Sequence, residues 1–137
     1  MNVRPLTPAE ERWRDLLLEY AETMLPTSTA SMDELQRLYE HFSAQVELGE
    51  GVADAIGLAF AASLVRGTDF EWVWTEDDEY PPEIAVGIPG LKLICHPLSM
   101  IAKRLTRGEP CDLRALRRDT VSQLQILIAD EVAGRGH

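Results

Sequence analysis

Thiols are scarce in this chain of 137 residues, which contains only Cys95 and Cys111. Small secreted domains use a denser, even-numbered cysteine framework, so the expectation is two free thiols in a reducing cytoplasm. Long apolar runs are lacking as well. The most apolar stretch, Val52 to Val65, is interrupted by Asp54 and falls short of the roughly 20 residues that a membrane span needs. Met1 to Glu11 has no apolar run, so no secretory signal is expected there. Positive charge is in shortest supply. Lys and Arg number 13 against 23 Asp and Glu, a formal net charge of −10. That balance argues against nucleic acid, whose phosphates demand basic surface, and against an anionic membrane.

Several chemistries lack their motifs. Glu76-Asp77-Asp78-Glu79 has neither the alternating ligand spacing nor the glycine of a calcium loop. No C-x-x-C pair is present, and adjacent strand residues such as Cys95 and His96 project to opposite faces, so zinc is not expected. There is no G-x-S-x-G elbow, and Gly49-Glu50-Gly51 lacks the lysine of a phosphate loop. Neither a metal nor a cofactor is expected. Two sets of candidate catalytic residues remain. Cys111 opens the last helix, where the helix dipole would lower its pKa, although Asp112 beside it works against that shift. Glu71 and Glu83 fall on neighbouring strands and form the one carboxylate pair that could divide acid and base roles.

Hydrophobic residues make up 45% of the chain and charged residues 26%, the mix of a single globular domain spanning 1–137. Residues 1–6 and 133–137 are expected to be flexible. Thr7-Pro8-Ala9-Glu10 and Ser31-Met32-Asp33-Glu34 both read as helix starts with capping boxes. Behind the first, Trp13, Leu16, Leu17, Tyr20, Met24 and Leu25 recur at helical spacing. Behind the second, Leu35, Leu38, Tyr39, Phe42 and Val46 do the same. Val52 to Val65 is apolar on nearly every helical face, which predicts a buried central helix whose alanines and Gly57 admit close neighbours.

The period then shifts to two. Phe70, Trp72 and Trp74 alternate with Glu71, Val73 and Thr75, as on a strand with one wet face. Ile84–Ile88 and Leu91–Cys95 follow after turn sequences, so three strands in an antiparallel meander are expected. A helix from Pro97 and another near Asp112 complete the chain, the latter turning Leu113, Leu116, Val121, Leu124, Leu127 and Ile128 to the core. The fold class is therefore α+β: three N-terminal helices, a three-stranded meander and two C-terminal helices.

Charge is unevenly spread. Between Asp69 and Gly90 there are seven acids (Asp69, Glu71, Glu76, Asp77, Asp78, Glu79, Glu83) and no base, whereas Leu91 to Gly108 holds Lys92, Lys103, Arg104 and Arg107 and no acid. One reading is mutual neutralisation of solvated surface. The other is an acidic hairpin that attracts and selects a basic partner.

Glu71-Trp72-Val73-Trp74, Asp78-Glu79-Tyr80, Ala85-Val86 and Pro97-Leu98-Ser99-Met100-Ile101-Ala102-Lys103-Arg104, with the Leu58-Ala59-Phe60 helix before them, carry a resemblance. They resemble a family of small bacterial domains of unknown function, with Pro81 standing where a turn glycine is expected. That resemblance implies no catalytic residues. A general likeness to bacterial immunity proteins implies a role in binding. The resulting expectation is a non-catalytic protein-binding module with Glu76, Asp77, Asp78, Glu79 and Tyr80 facing a protein with a basic patch. A small enzyme using Cys111 or the Glu71/Glu83 pair, and a homodimer subunit, are the alternatives.

Overall fold

The computed structural model describes residues 2–24, 32–45, 47, 49, 51–66, 68–76, 81–88 and 93–135. Strand β1 (Asn2–Arg4) leads into helix α1 (Pro8–Thr23), α2 (Met32–Ser43) and α3 (Val52–Val65). Strands β2 (Glu71–Glu76), β3 (Glu83–Ile88) and β4 (Leu93–Cys95) precede α4 (Pro97–Thr106) and α5 (Leu113–Arg135). The class is α+β, and the sheet has four antiparallel strands in the order β1-β2-β3-β4. The three-strand expectation therefore needs correction at the N-terminus. β1 is three exposed residues with no apolar alternation, held by the register Asn2↔Glu76, Val3↔Thr75 and Arg4↔Trp74. Its strand character comes from β2 rather than from local sequence, and Pro5, which cannot donate to a ladder, follows it.

The first helix starts where its sequence says. Thr7 Oγ1 accepts from the Glu10 N–H at 3.2 Å, and the Glu10 carboxylate accepts from the Thr7 N–H at 2.9 Å. Ser31, the second expected cap, lies outside the described residues. α3 forms as expected over Val52–Val65, and most of its residues are buried. At Gly57 an added Cβ would stand 3.0 Å from the Leu98 Cα, so glycine there permits α3 and α4 to cross closely. α5 is capped by Asp112, whose Oδ1 accepts from the Ala115 N–H at 3.1 Å. It stays helical through Ala133 and Gly134 to Arg135. Leu113 and Leu124 are buried, whereas Leu127, assigned to the core by periodicity, is exposed.

The sheet turns Trp72, Trp74, Ile84 and Val86 toward the helices. Ile84 is buried with Leu58 of α3 and Leu98 of α4, and Leu17 and Leu18 of α1 pack against them. The opposite face departs from expectation. Val73 and Thr75, read as partners of a wet face, are both buried. Glu71, the one acid of that expected wet face, marks only the start of β2 and is exposed, as is Glu76 at the other end.

Candidate functional site

α1 carries two apolar stripes. Leu17, Leu18 and Ala21 face the core, while Trp13, Leu16 and Tyr20 are 42%, 65% and 39% exposed. Residues three, four and seven apart share a helix face, so the outer three form a continuous strip. Glu11, Asp15, Glu19 and Glu22, all exposed, occupy the remaining outer surface with Arg12 as its cation. The second arginine of the helix turns inward. Arg14 lies 5.2 Å from the Trp72 ring centroid and bonds Asp15 at 3.0 Å.

Arg4 joins this helix to the base of the acidic hairpin. Its guanidinium forks onto Glu10 at 2.7 and 2.8 Å and lies 5.3 Å from the Trp74 ring centroid. The hydrogen bond from Arg4 holds the Glu10 carboxyl at about 2, well below its ordinary 4.5, and the Thr7 N–H adds to the effect. Glu76 contributes to holding the Arg4 proton and accepts from Trp74 Nε1 at 3.0 Å. It is exposed on the sheet, opposite Asn2. Asp77, Asp78, Glu79 and Tyr80 lie outside the described residues. Among the described residues the arginines of the basic segment do not pair with the hairpin: Arg104 donates to the Met100 carbonyl and Arg107 meets Glu109 at 3.6 Å.

Neither set of catalytic candidates is assembled. Glu71 stands opposite Gly87 and Glu83 opposite Thr75, which puts the two carboxylates at opposite ends of the hairpin. Four residues of strand separate them, roughly 13 Å. Cys111 lines an open groove of about 580 Å³ with Gln36, Tyr39, Glu40 and Asp112, but its thiol is not activated. Burial pushes its pKa up, Asp112 and Glu109 push the same way, and Arg104 opposes them. The helix-dipole expectation fails because Cys111 precedes the cap, and the first amides of α5 are taken by other groups. The Leu113 N–H donates to Gln36 Oε1 at 2.7 Å, while Gln36 Nε2 donates to the Cys111 carbonyl at 2.8 Å. Tyr39 anchors the same loop, its hydroxyl donating to the Glu109 carbonyl at 2.7 Å. The two cysteines are free, and burial raises Cys95 to about 11.

Sequence reasoning missed one polar cluster. Glu83 Oε1 lies 2.6 Å from His96 Nδ1, and Glu83 Oε2 accepts from the Ser99 hydroxyl at 2.8 Å. The β3–β4 register, with Val86 opposite Cys95, brings these residues together diagonally on one face. Reading the register forward from Cys95 is the signal that would have found them. The carboxylate sits between the histidine and the serine and engages both, so it ties β3 to the first turn of α4. Half-buried Asp54 stands near enough for Glu83 to reinforce the upward push on its pKa that desolvation begins. Among the described residues no three His, Cys, Asp or Glu side chains are grouped to hold a metal, and no described helix is long and apolar enough to cross a membrane.

No curated protein and no solved structure matches this chain. The family known as DUF3806, a domain of unknown function, matches residues 32–116. That segment runs from the start of α2 into the first turn of α5, and it contains the Trp-Val strand, Ala85-Val86 and the Pro97 helix on which the resemblance was drawn. β1 and α1 precede it. With more than half of its length matched, the chain belongs to the DUF3806 family.

Proposed function

We propose that this chain is a non-catalytic protein-binding module for a partner carrying a basic patch beside an apolar ridge. The observation that carries this reading is the outer strip of α1. Trp13, Leu16 and Tyr20 stand exposed on a helix whose Leu17, Leu18 and Ala21 are packed, and a contiguous apolar strip rimmed by charge is what interaction surfaces look like. Aromatic side chains anchor such contacts. The acids beside the strip would steer a cationic partner and reject an anionic one. A second copy of the chain is a poor occupant, because a two-fold contact across this face would bring Glu11, Asp15, Glu19 and Glu22 against their own copies.

Glu76 is linked to α1 through Arg4, and in this reading Asp77, Asp78, Glu79 and Tyr80, which follow it in the sequence, contribute to recognition of the same basic partner. An immunity-type role would use these acids to occlude a toxin's basic cleft. Because α1 precedes the family segment, the strip belongs to this chain's own reading rather than to the family's.

The test is capture from a lysate of the source cells at low and high salt. Wild type, Leu16→Ser, and a variant with Glu19→Gln and Glu22→Gln would run in parallel. The expected result is one basic protein retained by wild type, weakened by Leu16→Ser and released by salt. Retention that survives both variants, or capture of an acidic protein, overturns the reading. A light-scattering mass of twice the monomer that Leu16→Ser halves would instead establish the homodimer.

A further inference from the structure

α5 places arginines at 114, 117 and 118, within its first six residues, and has no acid in its first turn. Cations at this end of a helix oppose the macrodipole, so the placement works against the helix that carries it. Locally unfavourable choices of this kind concentrate at functional sites. The three side chains converge with Arg66, just past the end of α3, on an open groove of about 470 Å³ that Ser63 and Met32 complete. Four guanidinium groups thus line one groove in a chain whose net charge is −10.

Their present partners leave the groove positive. Arg117 donates from Nε and Nη2 to the Ser63 carbonyl at 3.1 and 2.9 Å, and Arg66 Nε reaches the Ala62 carbonyl at 3.4 Å. Both acceptors are neutral, and among the described residues no carboxylate pairs with either arginine. Arg114 meets Asp33 at 2.7 Å and Arg118 meets Asp119 at 3.4 Å, both in exposed pairs that water and salt weaken. Among the described residues, four cations against two paired carboxylates leave two positive charges unanswered.

We infer that this groove is a binding site for a small phosphorylated molecule. A phosphoryl group supplies the missing negative charge, and its oxygens match the planar fork of guanidinium donors. The Ser63 carbonyl holds the Arg117 fork in place before the ligand arrives, which lowers the cost of ordering it. The groove's volume falls within the ~300–1,000 Å³ usual for small-molecule sites, and Met32 offers an apolar wall for the body of a nucleotide-sized ligand. This site is separate from the strip on α1.

The full chain, titrated with pyrophosphate and with ADP by calorimetry and by amide chemical shifts, tests the assignment. Binding should be one-to-one and should weaken with salt, with shifts centred on the first two turns of α5 and the end of α3. Arg66→Gln with Arg118→Gln changes two exposed side chains and should weaken binding on the order of tenfold for each guanidinium lost. Asp33→Asn removes the carboxylate that competes for Arg114 and should tighten it. Absence of binding at millimolar ligand, undiminished binding by the double variant, or equal affinity for succinate would overturn the proposal.

Discussion

Helices α1 and α3 are neighbours that treat their apolar residues in opposite ways. α3 is buried through Ala55, Ile56, Gly57, Leu58, Ala59, Phe60 and Ala61 in succession, so every side of it meets protein. α1 has Ala21 as its buried residue and leaves Trp13, Leu16 and Tyr20 outside. The difference shows how far hydrophobic pattern specifies packing. Where a helix is apolar all round, no choice of face exists, and burial follows. Where the apolar arc is wider than one contact needs, the tertiary structure selects part of it and the remainder stays available to a partner.

Breaking α3 should have the largest effect. Leu58 is fully buried between Ile84 and Leu98, and Leu58→Ala removes its methyl groups and leaves a cavity. The expected loss is about 2–5 kcal/mol, read as a drop in the midpoint of denaturant unfolding with an unchanged slope. A loss under about 1 kcal/mol would show that the layer between α3 and the sheet is loosely packed.

The first turn of α1 sharpens the comparison through pH. Glu10→Gln keeps an acceptor for the cap but deletes the ion pair to Arg4, an exposed pair worth at most about 1 kcal/mol. The Glu10 pKa is depressed by folding, so its contribution is fully present above the ordinary carboxyl value of 4.5. It is lost as pH falls through about 2. The stability difference between wild type and variant should therefore be constant near neutrality and shrink between those two values. A difference that persists below pH 2 would assign it to another group.

The smallest stability effect belongs to the outer strip. Leu16→Ser removes an apolar side chain that is already 65% exposed and should shift stability by no more than about 0.5 kcal/mol. The same change carries the large effect on partner capture. A destabilisation comparable to that of Leu58→Ala would mean that Leu16 is packed in solution.

The same contrast explains what could be read in advance. The capping box at Thr7, the whole of α3 and the two tryptophans of β2 follow from residues close together in sequence. The edge strand does not, because Asn2, Val3 and Arg4 contain no periodic signal and are extended only by pairing with β2. The inert state of Cys111 was equally hidden. The residue that takes the Leu113 amide is Gln36, 77 positions away, and no local rule for thiols includes it. The Glu83–His96–Ser99 cluster depended on register, and the pairing of Glu71 with Glu83 failed for the same reason. Charge counted along the chain found the acidic hairpin. It overlooked the arginines of the groove because Arg66 and Arg114 meet only after folding.

The Gln36 clamp also bears on the order of events during folding. One amide side chain satisfies the Cys111 carbonyl and the Leu113 N–H together, and strands β2, β3 and β4 lie in the sequence between α2 and that site. A contact across so long a loop forms only after substantial chain closure, a hallmark of slow-folding topologies. Once made, it seals the start of α5, so the Leu113 amide proton can exchange with solvent only when α2 and α5 part. That single proton is a clock for the parting of α2 and α5.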